Sequence, residues 1–182
     1  MNEQAGSSSG SSASMRMSPE AKTRMRATEK AVYHYYNDMG RNRGNCTWGA
    51  GILAHKGVCS ADELGKRVSA GQVDMEFERR VAEAEKAVRR NITVALNQAQ
   101  FDALCSLTFN VGATGARDTF GYVNRGDFAG AASNISRLTK VSIHEGGKTK
   151  LVTATGLIKR RKEESAPFRV AQPTKAAASK GR

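Results

Sequence analysis

Two carboxylates, Glu29 and Asp38, are the residues of this chain whose setting suggests chemistry. If the segment from Ser18 onward is helical, the neighbours of Glu29 at minus four, plus three and plus seven are Met25, Val32 and Tyr36. Removing water from a carboxyl disfavours its charged form, and a glutamic acid in such surroundings keeps a proton to give to a leaving oxygen. Asp38 falls where this helix gives way to a glycine-rich stretch, a polar setting that solvates its charge. An acid and a base or nucleophile in contrasting environments are what glycoside hydrolysis needs. On pattern alone, a Glu on an apolar stripe is more often a helix-edge residue reaching solvent, and both readings stay open.

The elements that must position this pair follow from the rest of the chain. A helix opens at Ser18, a favoured cap with Pro19 behind it, and its apolar stripe runs Ala21, Met25, Val32 and Tyr36, with Glu29 on the same face. Between Asp38 and Cys59, Gly40, Gly44, Gly49, Gly51 and Gly57 stand among small and polar residues, which predicts tight turns and a small sheet. Ser60-Ala-Asp-Glu63 is a capping box leading to Leu64 and Val68. A longer helix is predicted from about Val73 to Arg90, with Val73, Phe77, Val81, Ala84 and Val88 inward. Its solvated face would carry Glu76/Arg80 and Glu85/Arg89 at ion-pair spacing. Asn97 precedes the most apolar helix, Phe101, Leu104, Cys105, Leu107 and Val111, which should stop at Gly112 and form the centre of the core. Short helices are expected from Asp118 to Arg125 and from Asp127 to about Leu138. Val141 and Ile143 alternate toward Gly146-Gly147, reading as a hairpin or an irregular loop. Thr155 is expected to cap a last helix. The fold class is α+β, mainly helical with a small β-rich lobe after the first helix.

Three separated segments carry a resemblance. Glu29 to Asp38, EKAVYHYYND, followed by Thr47-Trp-Gly-Ala-Gly51, resembles the active-site signature of the phage-type lysozymes, glycoside hydrolase family 24. Leu96-Asn-Gln-Ala-Gln-Phe-Asp-Ala-Leu104 through Phe109-Asn-Val-Gly112 is similar to that family's central helix, and Gly156-Leu-Ile-Lys-Arg-Arg161 to its last one. The resemblance implies a lysozyme-like catalytic domain over residues 18–168. It implies a muramidase that hydrolyses the β-1,4 bond between N-acetylmuramic acid and N-acetylglucosamine in bacterial peptidoglycan, with inversion. Glu29 would be the general acid, Asp38 the base that activates water, and Thr47 the hydroxyl that positions that water. Inversion requires carboxyl groups roughly 6.5–9.5 Å apart. Leu53, Phe109 and Thr119 would lie near the saccharide cleft, although Phe109 also shares a helix with Phe101, Leu104 and Leu107 and fits the core. The interval from Met39 to Cys46 is longer than the family's usual one. His55 is either a displaced equivalent of the family's histidine or a surface residue. Arg160 and Arg161 either meet carboxylates of the substrate or complement their own helix dipole.

Composition narrows the remaining classes. Twenty-nine Lys and Arg against 17 Asp and Glu give a net charge of +12, which favours anionic partners. The basic residues are spread along the chain without a recognition motif or interleaved aromatics, which weighs against the competing reading of a nucleic-acid-binding protein. No cofactor and no structural metal are expected, because no Cys-x-x-Cys or His/Cys spacing of a metal site is present. Cys46 and Cys59 bracket the glycine-rich lobe and are either free or bridged, while Cys105 should be buried and inert. Residues 1–17 read as a flexible Gly/Ser-rich leader and 169–182 as a basic tail. No apolar run has the length of a signal peptide or a membrane span. The expectation is a monomer without membrane insertion, made in the cytoplasm and acting in the periplasm or on the cell wall. It would arrive there either as a phage endolysin released at lysis or, alternatively, as a secreted antibacterial effector, which would have an immunity protein as partner.

Overall fold

The computed structural model describes residues 14–29, 32–145 and 148–170. Most of the expected leader, most of the basic tail and Gly146-Gly147 lie outside the described residues. Helix α1 spans Pro19–Thr28 and opens as its sequence dictates, with the Ser18 hydroxyl accepting from the Ala21 amide. The Ser18 amide and hydroxyl both donate to the carboxylate of Asp102, at 2.9 and 2.6 Å. Close packing begins upstream of the boundary expected at Ser18. Met17 is buried, and its amide donates to Glu85 Oε1 at 2.8 Å.

The first helix is shorter than its apolar stripe suggests. Ala21 and Met25 are buried on it as expected, but Val32 and Tyr36 belong to strand β1, Val32–Asn37. VYHYYN is a run of β-branched and aromatic side chains that suits a pleated surface better than a helix. Apolar positions four and seven residues apart cannot distinguish a long helix from a short one followed by a strand. The carbonyls at the end of α1 are satisfied locally, with the Thr28 hydroxyl donating to Met25 O and Arg26 Nη1 to Glu29 O.

The glycine-rich region forms the expected sheet. Strands β2 (Cys46–Gly49) and β3 (Ile52–His55) complete an antiparallel sheet in the order β1-β2-β3. Its register places Tyr36 opposite Thr47, Asn37 opposite Cys46, Thr47 opposite Leu53 and Cys46 opposite His55. Ala50, Val68 and Val73, with Tyr35 and Trp48 against them, give this lobe a small core of its own.

The other elements form the helical body. Helix α2 (Ala61–Leu64) carries the predicted Ser60/Glu63 capping box. Helix α3 (Ala70–Asn91) buries Val73, Phe77, Val81, Ala84 and Val88 on one face. Glu85 departs from its expected solvated position: it is buried, and holds Arg16, Arg89 and the Met17 amide. Glu76 pairs with Arg79 rather than with Arg80. Helix α4 (Gln98–Gly115) opens at an Asn97/Gln100 capping box and packs on α3, with Phe101, Leu104, Cys105 and Leu107 fully enclosed. It breaks at Gly112, whose φ of 72° is a conformation that glycine adopts without strain.

Helices α5 (Arg117–Asn124) and α6 (Phe128–Arg137) pack against each other, and the hairpin of β4 (Lys140–Glu145) and β5 (Lys148–Thr153) follows. Helix α7 (Thr155–Ser165) packs on α4 and α6. Thr155 is its first residue and not its cap; that position is Ala154, which offers no side-chain bond. Arg161 is buried, donating to Leu138 O, Asn110 Oδ1 and Glu164 Oε2, and so ties α7 to α4 and to the end of α6. That network removes it from the two roles open to it in the sequence. Among the described residues no helix is long and apolar enough to cross a membrane.

Candidate active site

Glu29 stands at the point where α1 ends, in extended conformation, with its side chain 21% exposed. Its setting is not the helical apolar stripe expected from sequence but the junction of α1 with α7. There Arg160 Nη1 lies 3.1 Å from Glu29 Oε1. The same guanidinium gives its Nε to Glu164 Oε1, also at 3.1 Å, and Nη2 to the Ser106 carbonyl at 3.3 Å. Glu164 is nearly enclosed and further held by the Ser106 hydroxyl and by Arg161. Arg160 is therefore fixed from the body of the protein and presents one nitrogen to Glu29.

Asp38 sits just past the end of β1, in the turn that leads to β2. The Asn45 amide donates to Asp38 Oδ1 at 2.8 Å, and the Asp38 amide donates back to Asn45 O at 3.1 Å. Gly44 makes this closure possible. Its φ is +85°, and a Cβ placed on it would lie 2.0 Å from Asp38 Oδ1. The loop is wrapped so closely around the carboxylate that only glycine fits. Asp38 itself is exposed, whereas the more distant Thr47 is buried and donates its hydroxyl to Asn45 O at 3.3 Å. Asn45 thus connects Asp38 and Thr47, its amide and side-chain Nδ2 both donating to the Asp38 carboxylate and its carbonyl accepting from Thr47, across the interval that is longer than in the family.

Tyr36 responds to the charge of both carboxylates, a part that sequence reasoning did not give it. Burial pushes its phenol above the ordinary tyrosine range, and the negative charges of Asp38 and Glu29 push it further, against an opposing backbone hydrogen bond with Gly51. Thr47 is the partner of Tyr36 on the neighbouring strand.

The remaining expectations divide. Leu53 is 54% exposed on β3 beside Thr47, where it can meet a ligand. Phe109 is buried, with the Phe77 ring at 5.5 Å and the Arg80 guanidinium 4.7 Å over its face, so core packing accounts for it. Thr119 is fully buried and donates to Asn134 Oδ1 at 2.7 Å; it cannot touch a saccharide and instead joins α5 to α6. His55 is exposed at the end of β3 and bonds to Lys56 O and Glu63 Oε1, not to either carboxylate of the site. Cys46 and Cys59 form a disulfide with Cα atoms 4.5 Å apart, while Cys105 is a buried free thiol that burial pushes up. Cys46, His55 and Glu63 each bring a ligand atom within 4.8 Å of the others, making them the group among the described residues that could hold a metal.

Comparison with known proteins agrees with this architecture. The family described as Phage lysozyme matches residues 26–164, which include every residue of the site. The chain is 33% identical over 107 residues to an endolysin of Acyrthosiphon pisum secondary endosymbiont phage 1, covering 58% of this chain and 70% of that one. Among solved structures it resembles the endolysin from Escherichia coli O157:H7 phage FAHEc1, with a TM-score of 0.67, 27% identity and coverage of 86% and 94% of the two chains. It also resembles the muramidase domain of SpmX from Asticaccaulis excentricus, with a TM-score of 0.62, 26% identity and coverage of 86% and 99%. A match over three quarters of its length, with the lysozyme-like fold and both carboxylates inside it, shows that this chain belongs to the phage lysozyme family of glycoside hydrolases.

Proposed function

We propose that the enzyme hydrolyses the β-1,4 bond between N-acetylmuramic acid and N-acetylglucosamine in peptidoglycan, with inversion at the anomeric carbon. The observation that carries this reading is that the phage lysozyme match spans both carboxylates, Glu29 held by Arg160 at a helix end and Asp38 held by the Asn45 amide in a strand turn. Glu29 is the acid that protonates the leaving oxygen, and Arg160 aims its carboxyl. Asp38 is the base, its carboxylate oriented by the Asn45 amide. The Thr47 hydroxyl, with its proton directed to Asn45 O, keeps its lone pairs for a water between itself and Asp38. Inversion would use these two carboxyl groups, one at a helix end and one in a strand turn, roughly 6.5–9.5 Å apart with that water between them.

The two relatives named endolysins support action on the bacterial cell wall, in the periplasm or from outside, as part of host lysis. The net charge of +12 supports attraction to an anionic envelope. Digestion of purified peptidoglycan tests the whole assignment. New reducing ends should be N-acetylmuramic acid, the first-formed anomer should be α, and Glu29→Gln should fold normally yet lose at least about 100-fold in rate. Reducing-end N-acetylglucosamine or a first-formed β anomer overturns the bond or the stereochemistry. Clearing by Glu29→Gln at the wild-type rate overturns the acid.

A further inference from the structure

The disulfide of the β-rich lobe does not stand alone. His55 Nε2 and Glu63 Oε1 are 2.9 Å apart, and a sulfur of Cys46, a ring nitrogen of His55 and a carboxylate oxygen of Glu63 all lie within 4.8 Å of one another. Cys59, bonded to Cys46, adds a second sulfur beside that group. Four side chains from separate lengths of chain converge: Cys46 at the start of β2, His55 opposite it at the end of β3, Cys59 in the linker that follows, and Glu63 on α2. The muramidase reading uses none of these side chains.

Two sulfurs, an imidazole and a carboxylate are the donors that bind zinc in four-coordinate sites. We propose that, when the Cys46–Cys59 bond is reduced, these four side chains take up one zinc ion. With bonds of about 2.3 Å to sulfur and 2.0–2.2 Å to nitrogen and oxygen, the corners of a tetrahedron are roughly 3.3–3.8 Å apart. The Cys46, His55 and Glu63 atoms, already within 4.8 Å, reach that spacing through rotation of the more exposed His55 and Glu63 side chains, and Cys59 turns in from beside Cys46 once the bond between them is broken.

Two of the ligands are held in ligating orientation by other bonds. His55 Nδ1 lies 3.0 Å from the Lys56 carbonyl, which can only accept, so Nδ1 carries a proton and Nε2 is the nitrogen turned into the cluster. Glu63 gives Oε2 to the Ser60 amide at 2.8 Å within the capping box, leaving Oε1 directed at His55. Outer hydrogen bonds of this kind fix the ligands of metal sites. An ion pair of exposed residues needs neither.

The electron and proton balance is simple. A thiol reductant of the glutathione or thioredoxin class breaks the S–S bond by supplying two electrons, and two protons complete the thiols. Zinc then displaces both thiol protons and the Nε2 proton that bonds His55 to Glu63, forming two Zn–S bonds, one Zn–N bond and one Zn–O bond. The sulfurs serve either the metal or the disulfide, never both. Zinc thus braces β2, with Thr47 next to Cys46, in a reducing compartment, and the disulfide braces it in an oxidising one.

The test uses the full chain reduced with a phosphine, freed of reductant without oxygen, and loaded with Zn²⁺ or with Co²⁺ as a spectroscopic probe. Reduced wild type should retain one equivalent of zinc through gel filtration, and its cobalt form should show thiolate-to-metal charge-transfer bands. The oxidised protein and Cys46→Ser/Cys59→Ser should retain none. His55→Ala and Glu63→Gln, both substitutions outside the core, should each weaken zinc binding by at least about tenfold, while Cys105→Ser should not change it. Retention by reduced wild type no greater than by the double serine variant overturns the site. Full-strength binding by both His55→Ala and Glu63→Gln also overturns it, because a pair of thiols alone would then hold the metal. These two surface variants decide the matter even if the double serine variant does not fold.

Discussion

Glu29 and Arg160, 131 residues apart in the chain, meet at 3.1 Å where the first helix ends against the last. Because Arg160 also holds Glu164 and the Ser106 carbonyl, its position is set by the body of the protein and passed on to Glu29. Arg160→Ala should lower kcat/KM by about 10- to 100-fold through loss of aim. It should lower stability by only about 1–2 kcal/mol, because Glu164 keeps Arg161 and Ser106. Arg160→Lys should recover part of the rate, a point charge replacing a planar fork. Steady-state rates and thermal unfolding of the same preparations give the comparison; equal falls in both would assign Arg160 to structure alone.

Gly44 is the position in the β-rich lobe least able to change. In Gly44→Ala the added carbon meets Asp38 Oδ1, and the backbone is held at φ +85°. The strain should cost about 1–3 kcal/mol. The rate should fall well beyond what the lost folded fraction explains, since Asp38 must give up the Asn45 amide to make room. Circular dichroism melting and peptidoglycan clearing measured side by side separate the two effects.

The disulfide closes a loop of about 14 residues, which corresponds to roughly 3 kcal/mol in the chain-entropy description. In buffer containing a chelator, a reductant should lower the denaturation midpoint of the wild type to that of Cys46→Ser/Cys59→Ser and leave the double variant where it was. A midpoint insensitive to reductant would mean that the lobe needs no covalent brace.

Acid should loosen the attachment of the N-terminal segment to α3. Burial alone would raise the Glu85 carboxyl, but the Met17 amide, Arg16 and Arg89 together hold it below its ordinary 4.5. A carboxyl depressed in the folded state contributes stability above its unfolded value, and that stability disappears as pH falls through the folded value. Unfolding free energy should therefore decline below about pH 4.5, and Glu85→Gln should be less stable at neutral pH with a shallower decline. Urea titrations across the acid range provide the measurement; parallel curves for the two proteins would sink the assignment.

The parts of the fold written in local chemistry were legible in the sequence. The Ser60/Glu63 and Asn97 caps, the five-residue inward face of α3 and the break at Gly112 each depend on residues within a turn or two of one another. The end of α1 was not legible, because Met25, Val32 and Tyr36 fit a helical spacing while strand pairing with Cys46–Gly49, remote in sequence, decided the outcome. Glu29 and Asp38 were found for a partly mistaken reason: Glu29 is surrounded by α7, not by its own helical neighbours. Arg160, Tyr36 and Asn45 gain their parts only through contacts between elements. The burial of Thr119 against Asn134 was not legible, because position along a helix does not say which neighbour will enclose a residue. Cys46, His55, Cys59 and Glu63 follow no familiar metal spacing, and only the sheet register brings the first two together.

The double attachment of Ser18 to Asp102 turns α1 into a lever. Ten residues of helix reach about 15 Å, with the anchor at one end and the proposed acid at the other. A tilt of roughly four degrees at the anchor swings the far end by about 1 Å, a displacement large enough to cost about 100-fold in rate. Asp102 is therefore placed to bear on the proposed acid from the opposite end of the helix, alongside the hold of Arg160. Damage there would register in turnover before it registered in melting.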